Sequence, residues 1–205
     1  MKQFIIPYEK HLTFSGENTI EIDTYKWSEN CYQPKVDIFL CHDNTRLAVK
    51  FIAHEPETIL RTTETQDGAD IYQDSCVEFF LKPYLDDPRY LNIEINPRGT
   101  TSMSIRTGRF DKKPIVHMYK PHLNLLSKID PHCWTTCLEL PFETLCEVFE
   151  NPHSLCSGDT VYGNFYKCGD ETAFPHFGMW NEIELDAPDF HQPQFFGKLI
   201  LGQVD

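Results

Sequence analysis

Residues 76–96 read CVEFFLKPYLDDPRYLNIEIN, and the alternation inside them decides the fold class. Val77, Phe79 and Leu81 occupy every second position, as do Leu91, Ile93 and Ile95. A period of two is the signature of a half-buried β-strand. Between the two runs lie prolines and paired aspartates, which favour turns. The stretch therefore reads as an antiparallel hairpin turning near Asp86 and Asp87. Simple pairing across that turn sets Glu78 roughly opposite Glu94, both pointing away from the apolar face. Like charges directly opposite one another destabilise a sheet, so the pair calls for a counter-charge or a use.

The next turn, NPRG at residues 96–99, brings Ser102, Ser104 and Arg106 alongside Asn92, Glu94 and Asn96. Arg106 is the expected counter-charge. One face then carries Glu78, Asn92, Glu94, Asn96, Ser104 and Arg106, and the other carries Val, Ile, Leu and Phe. A slip of two residues would leave the polar face polar, whereas a slip of one would not. Two readings stay open at this point. An antiparallel sheet often has one solvated face. Alternatively, carboxylates, amides and a guanidinium form a surface able to make several hydrogen bonds to vicinal hydroxyls. Aromatic rings would supply flat apolar contact beside them; Tyr72 and Trp180 are the candidate rings.

The same period recurs along the chain. VDIFLCHD (36–43), RLAVKFIAHE (46–55), TSMSIR (101–106), WTTCLEL (134–140), TVYGNFYKC (160–168) and FGKLILG (196–202) all alternate. Turn-forming segments separate them: HDNT, LDDP, IDPH, NPHS and CSGD. Many short strands punctuated this way indicate an all-β antiparallel sandwich of jelly-roll or immunoglobulin-like type. One short helix is expected at LPFETLCEVFE (140–150), where Phe142, Leu145 and Phe149 fall at helical spacing behind Pro141. Residues 170–194, rich in Pro, Asp, His and aromatics, read as a long ordered loop, a feature often tied to function. No repeat or linker divides the chain, so residues 1–205 form one domain.

Composition narrows the partners. Of 205 residues 40% are hydrophobic and 13% aromatic, which suits a folded core, and the formal net charge is -13. Phosphate binding needs clustered Lys and Arg, so a nucleic-acid partner is not expected. Nor is an anionic membrane surface. No apolar run is long enough for a membrane helix. MKQFIIPYEKH lacks a signal-peptide core. The eight cysteines, Cys31, Cys41, Cys76, Cys133, Cys137, Cys146, Cys156 and Cys168, form no CxxC pair. Cys133 and Cys137 would sit on one strand face about 13 Å apart, beyond reach of a disulfide or a shared zinc. Free thiols, mostly buried as small hydrophobes, are the expectation, and with them a cytoplasmic, reducing location; removal of a leader would instead allow a secreted or periplasmic one. Oligomeric state is not legible.

YQDSCVEFFL (72–81), YLNIEINPRGT (90–100), GNFYKCGD (163–170) and HFGMWNEIELDAPDFHQPQFFGKLIL (176–201) together resemble the family 9 carbohydrate-binding modules within the DOMON-like superfamily. The family's Asp-Ser-Val-Glu-x-Phe signature is similar to Asp74-Ser75-Cys76-Val77-Glu78-Phe79-Phe80 with one residue inserted. Its closing Phe-Gly-x-(Ile/Leu)-x-Leu strand is similar to Phe196–Leu201. The likeness runs from about residue 18 to 201. It implies a β-sandwich without catalytic machinery, of bacterial type and linked to carbohydrate catabolism, that clamps a sugar chain end between two aromatic rings. Structural calcium occurs in several members. Carried over by position, Glu78 matches the signature glutamate and Tyr72 stands where classical members place a sandwiching Trp. Trp180 matches the second ring region, and Asn164 and Glu94 lie on strands that give polar contacts. The expected saccharide site is therefore Tyr72, Glu78, Glu94, Asn96, Arg106, Asn164 and Trp180.

Other chemistries compete with that reading. Glu78 and Glu94 could stand at the separation a glycosidase needs, though an open sheet face does not exclude water. Haem-binding relatives of this sandwich use Met and His ligands, for which Met103, Met118, His117 and His176 are available. Asp67, Asp70 and Asp74 in TQDGADIYQD offer oxygen ligands for calcium without EF-hand spacing. His176 and His191 could pair on a metal but show no third ligand.

Overall fold

The computed structural model describes residues 1–15, 18–28 and 30–204. The hairpin expected at residues 76–96 forms as β6 (Cys76–Lys82) and β7 (Tyr90–Ile95), with Glu78 directly opposite Glu94. β8 (Thr101–Arg106) extends it and β9 (Lys113–Pro114) closes that edge. On the other side lie β12 (Thr160–Cys168), β14 (Gly197–Leu201) and β1 (Gln3–Ile6). The order across this sheet is β1-β14-β12-β6-β7-β8-β9. β13 (Phe177–Met179) pairs with β12, and β3 (Thr24–Tyr25) pairs with β13. The second sheet runs β10 (Asn124–Asp130), β11 (Cys133–Pro141), β5 (Arg46–Ala53), β4 (Val36–His42) and β2 (Ile20–Ile22), in that spatial order. The one expected helix is present as Phe142–Phe149, ended by Glu150 in the left-handed conformation. A single further turn of helix, Val116–Tyr119, follows β9.

The two sheets face each other across a core set by the alternation. Phe79 stacks on Phe165 with ring centroids 4.8 Å apart, and Phe51 from the second sheet meets Phe165 edge-on at 6.0 Å. Val77, Ile93, Ile95, Val36, Ile38, Val49, Trp134 and Leu138 fill the layer around them, all buried. Burying each large side chain stabilises the fold by about 1.5–3 kcal/mol.

The segment 170–194 is not all loop. It contributes β13 and then turns to lay its remaining residues over the outer face of the first sheet. Trp180, expected at the ligand site, instead enters the main core. It packs edge-on to Phe165 at 5.7 Å and lies over Gly197, where a Cβ would come within 2.3 Å of its ring. The neighbouring backbone explains this: Trp180 N–H donates to Phe165 carbonyl, which continues the β12 pairing and turns the indole inward.

A buried ionic network pins one end of the sandwich. Lys167 is fully buried. Its ammonium lies 3.1 Å from Glu55 Oε2 and donates to His176 Nε2 at 2.8 Å and to Cys168 carbonyl at 2.9 Å. Glu55 also accepts from Trp134 Nε1 at 2.8 Å and from Tyr32 hydroxyl at 3.0 Å. Burial opposes the Glu55 charge, but Lys167 and Trp134 outweigh it and hold the carboxyl below its usual range. For His176, burial and then Lys167 push the pKa down to about 3. Its Nδ1–H therefore donates to Phe174 carbonyl while Nε2 accepts.

This neutral histidine has a pH consequence. A folded pKa below the unfolded 6.5 means that its contribution is fully present above pH 6.5 and is lost as pH falls toward 3. Denaturant titrations between pH 3 and 6.5 are expected to show stability falling with acid, and His176→Gln is expected to flatten that slope. An unchanged slope in the variant would refute the assignment. His191, also held low to about 3, leaves part of the slope in place.

Candidate functional site

The outer face of β12, β6, β7 and β8 is polar in the middle and roofed at one side. Tyr166, on β12, stacks on Phe190 of the covering segment with centroids 4.1 Å apart, and its hydroxyl donates to Phe190 carbonyl. Phe80 stacks on His191 at 5.0 Å, and Tyr90 hydroxyl meets His191 Nδ1 at 2.8 Å. Trp27 ties the roof down by donating to Leu185 carbonyl at 2.8 Å. Beyond the roof the face opens as a cleft of about 330 Å³. Three rings border it: Tyr72, 37% exposed, Phe177 and Phe190. Glu78, Glu94, Arg106 and Cys168 form the floor; Asp70, Arg109, Lys112, Asp170 and Asp189 stand around it.

The floor has unspent hydrogen-bonding capacity. Glu78 and Glu94 are 4% and 3% exposed. Burial, then the charge of Glu94, pushes Glu78 well above the usual carboxylate range. Burial also raises Glu94, against the pull of Lys112. Neither is within ion-pair distance of a lysine or arginine among the described residues. Glu78 Oε1 accepts from Cys168 Sγ at 3.0 Å. Glu94 Oε2, Asn92 Nδ2 and Ser102 Oγ are buried without a hydrogen-bond partner. Unpartnered buried polar atoms cost about 1–3 kcal/mol each, and three of them on adjoining strands of one face make a surface prepared for a polar guest. A wider hollow of about 640 Å³ beside Tyr84 and His153 has none of them.

Four of the seven residues expected at the site line this cleft: Tyr72, Glu78, Glu94 and Arg106. The other three are spent elsewhere. Asn96 donates to Glu64 carbonyl and Asp74 and accepts from the backbone N–H of Arg98 and Thr100, which fixes the NPRG turn. Asn164 donates to Asn181 carbonyl and accepts its N–H, clipping the covering segment to β12. Trp180 is in the core. Arg106 lies opposite Tyr90 and donates to Asn92 Oδ1, Ser104 and Arg109 carbonyl, while its charge, without ion-pair contact, favours the ionised form of both glutamates. Lys112, in the segment between β8 and β9, is the larger counter-charge to Glu94. The other rings that line the cleft are Phe177 and Phe190, not a tryptophan.

The metal expectations are corrected as well. Asp67 accepts from Lys120 and Thr101 N–H, while Asp74 accepts from Arg61 and two backbone amides. Only Asp70 reaches the cleft, so the three aspartates do not converge on a calcium ion. His176 and His191 serve separate networks. Met103 is buried in the core, Met118 is 66% exposed and His176 is held by Lys167, so they form no axial pair for haem. All eight cysteines are free, as expected, but only Cys41, Cys76 and Cys168 are buried. No helix among the described residues is long and apolar enough to cross a membrane.

A two-sheet sandwich whose polar outer face opens into an aromatic-walled cleft defines a ligand-binding module. Residues 8–201 match the model of carbohydrate-binding family 9, and the chain belongs to that family. Among solved structures it is similar to a protein of Bacteroides uniformis ATCC 8492, provisionally assigned as carbohydrate-binding. The two are 26% identical with a TM-score of 0.82, over 98% of this chain and 99% of that one. It shares its fold with a family 9 module of Caldicellulosiruptor kristjanssonii solved with cellotriose. That match is 16% identical with a TM-score of 0.71, covering 100% of this chain and 96% of the other. A glucose complex from the same organism is 15% identical with a TM-score of 0.65, covering 100% and 98%. No curated protein sequence matches this one.

Proposed function

We propose that this cleft binds a saccharide terminus without cleaving it. Family membership supplies the ligand class, and the two buried carboxyls, with Glu94 Oε2 unpartnered, in an aromatic-lined cleft carry the reading to this site. Tyr72 offers a ring to the C–H side of a pyranose, and Phe177 and Phe190 add aromatic surface in the same cleft. Glu78 and Glu94 meet neighbouring hydroxyls from the floor. A raised pKa lets a carboxyl present both a donor and an acceptor, which suits hydroxyl groups that are themselves both. Arg106 and Lys112 place positive charge beside the pair.

The test is a screen of mono- and oligosaccharides by glycan array, followed by calorimetry of the hits. A saccharide that binds wild type is expected to bind Tyr72→Ala about 10-fold more weakly, the worth of one stacked ring. No binding to any saccharide, or an affinity indifferent to Tyr72, would overturn the assignment.

A further inference from the structure

Cys76 and Cys168 face one another across the β6–β12 pair, and both side chains point to the polar face. Glu78, two residues along β6, joins them. The three ligand atoms lie within 4.8 Å of one another and all three residues are buried. No other group of three such residues among the described ones comes this close. We infer that Cys76, Cys168 and Glu78 hold a thiophilic divalent cation of the zinc type in the floor of the cleft, with one coordination position open toward the guest.

The geometry suits that ion. Zinc binds thiolate sulfur at about 2.3 Å and carboxylate oxygen at about 2.0–2.2 Å in tetrahedral array. Those bond lengths place neighbouring ligand atoms about 3.5–3.8 Å apart, within the span observed. Cys168 Sγ and Glu78 Oε1 are already 3.0 Å apart, joined by the hydrogen bond that a metal would replace. An independent feature points the same way. Glu94 Oε2, directly across the strand pair from Glu78, is buried without a partner, and no lysine or arginine ion-pairs with either glutamate. Two facing carboxyls and two thiols thus gather where no cation is in ion-pair contact with either carboxyl, Arg106 and Lys112 acting on them only from a distance. Two thiols and one carboxylate give zinc three protein ligands, one short of four, the pattern of a site that keeps a position for water or substrate. Calcium would prefer an all-oxygen shell of six or more.

Binding exchanges protons for metal. The two thiols, and the Glu78 carboxyl when it carries one, release their protons to solvent as the ion enters, so affinity rises with pH. The loaded centre carries one net negative charge, and Arg106 borders the same floor. This inference stands apart from the sugar reading, because it concerns what the floor holds and not what the cleft admits.

The experiment uses the whole chain, reduced with a phosphine, stripped by chelator and titrated with cobalt(II) and then zinc(II). One cobalt per chain is expected, with thiolate-to-cobalt charge transfer in the near ultraviolet and the intense visible bands of tetrahedral cobalt. One equivalent of zinc should bleach both. Cys76→Ser and Cys168→Ser should each remove the charge-transfer band, whereas Cys31→Ser and Cys156→Ser should not. Absorption fine structure on the wild-type zinc protein should show two sulfurs at about 2.3 Å and oxygen at about 2.0 Å, a readout that needs no variant to fold. Absence of a sulfur shell, or bands surviving in the Cys76→Ser/Cys168→Ser double variant, would overturn the site. Sugar affinity measured in the same stripped protein keeps a failure here separate from a failure of the saccharide reading.

Discussion

Lys167→Met is expected to destabilise the protein by about 3–5 kcal/mol, the usual cost of removing one partner from a buried ion pair. The ammonium answers Glu55 at 3.1 Å, and both residues are almost fully buried. Methionine matches the volume of the lysine stem, so little of the loss comes from a cavity. The cost is that of a carboxyl left in the core with Trp134 and Tyr32 hydrogen-bonding it and a neutral His176 3.9 Å away. The double variant Lys167→Met/Glu55→Gln should recover much of the difference, since it removes both charges. Urea midpoints of the four proteins of this cycle settle the matter. A single variant within 1 kcal/mol of wild type, or a double variant no better than Lys167→Met, would show that the pair is not coupled.

Glu78→Ala is expected to weaken binding of the screened saccharide by about 100-fold, near 2.7 kcal/mol, the order of two hydrogen bonds to a carboxyl. Its effect on stability is expected to be far smaller. Truncation leaves a small cavity, which destabilises, but it also removes a buried carboxyl facing another one, which costs the native fold. The two contributions oppose. Calorimetric affinity should therefore collapse while the melting temperature moves by only a few degrees. Full affinity in the variant would remove Glu78 from the site, and gross unfolding would make it a structural residue.

The strand register was legible because two rules agree at residues 76–96. Period two fixes the faces, and a turn centred on Asp86 leaves equal arms, so Glu78 must meet Glu94. Tyr72 followed from its place just ahead of that strand. What stayed hidden has a common cause: residue type reports polarity but not the partner that consumes it. Asn96 and Asn164 look like ligand groups, yet backbone amides of a turn and a covering segment saturate them. Trp180 has the size of a sugar-stacking ring, and only the continuation of pairing past β13 shows that it faces inward. Cys168 and Glu78 sit 90 positions apart, and no spacing rule joins them. Strand order does, because β12 lies beside β6. The roof residues Phe190 and His191 were visible as an aromatic-rich segment but not as a cover, since their seats on Tyr166 and Phe80 depend on the path of the loop.

The pairing at the sheet edge bears on how the molecule assembles. β1 lies parallel to β14, with Ile6 opposite Leu201, so the first strand of the sandwich has no neighbour in its sheet until the last one of the sandwich is made. Until then β1 is a short ribbon with unmet amides, and the Gly197 seat under Trp180 is vacant. Contacts spanning nearly the whole sequence close slowly, since the loop entropy must be overcome before they form. Folding of this sandwich is thus expected to finish only once β14 is available, completed as a zipper drawn shut at its outer seam.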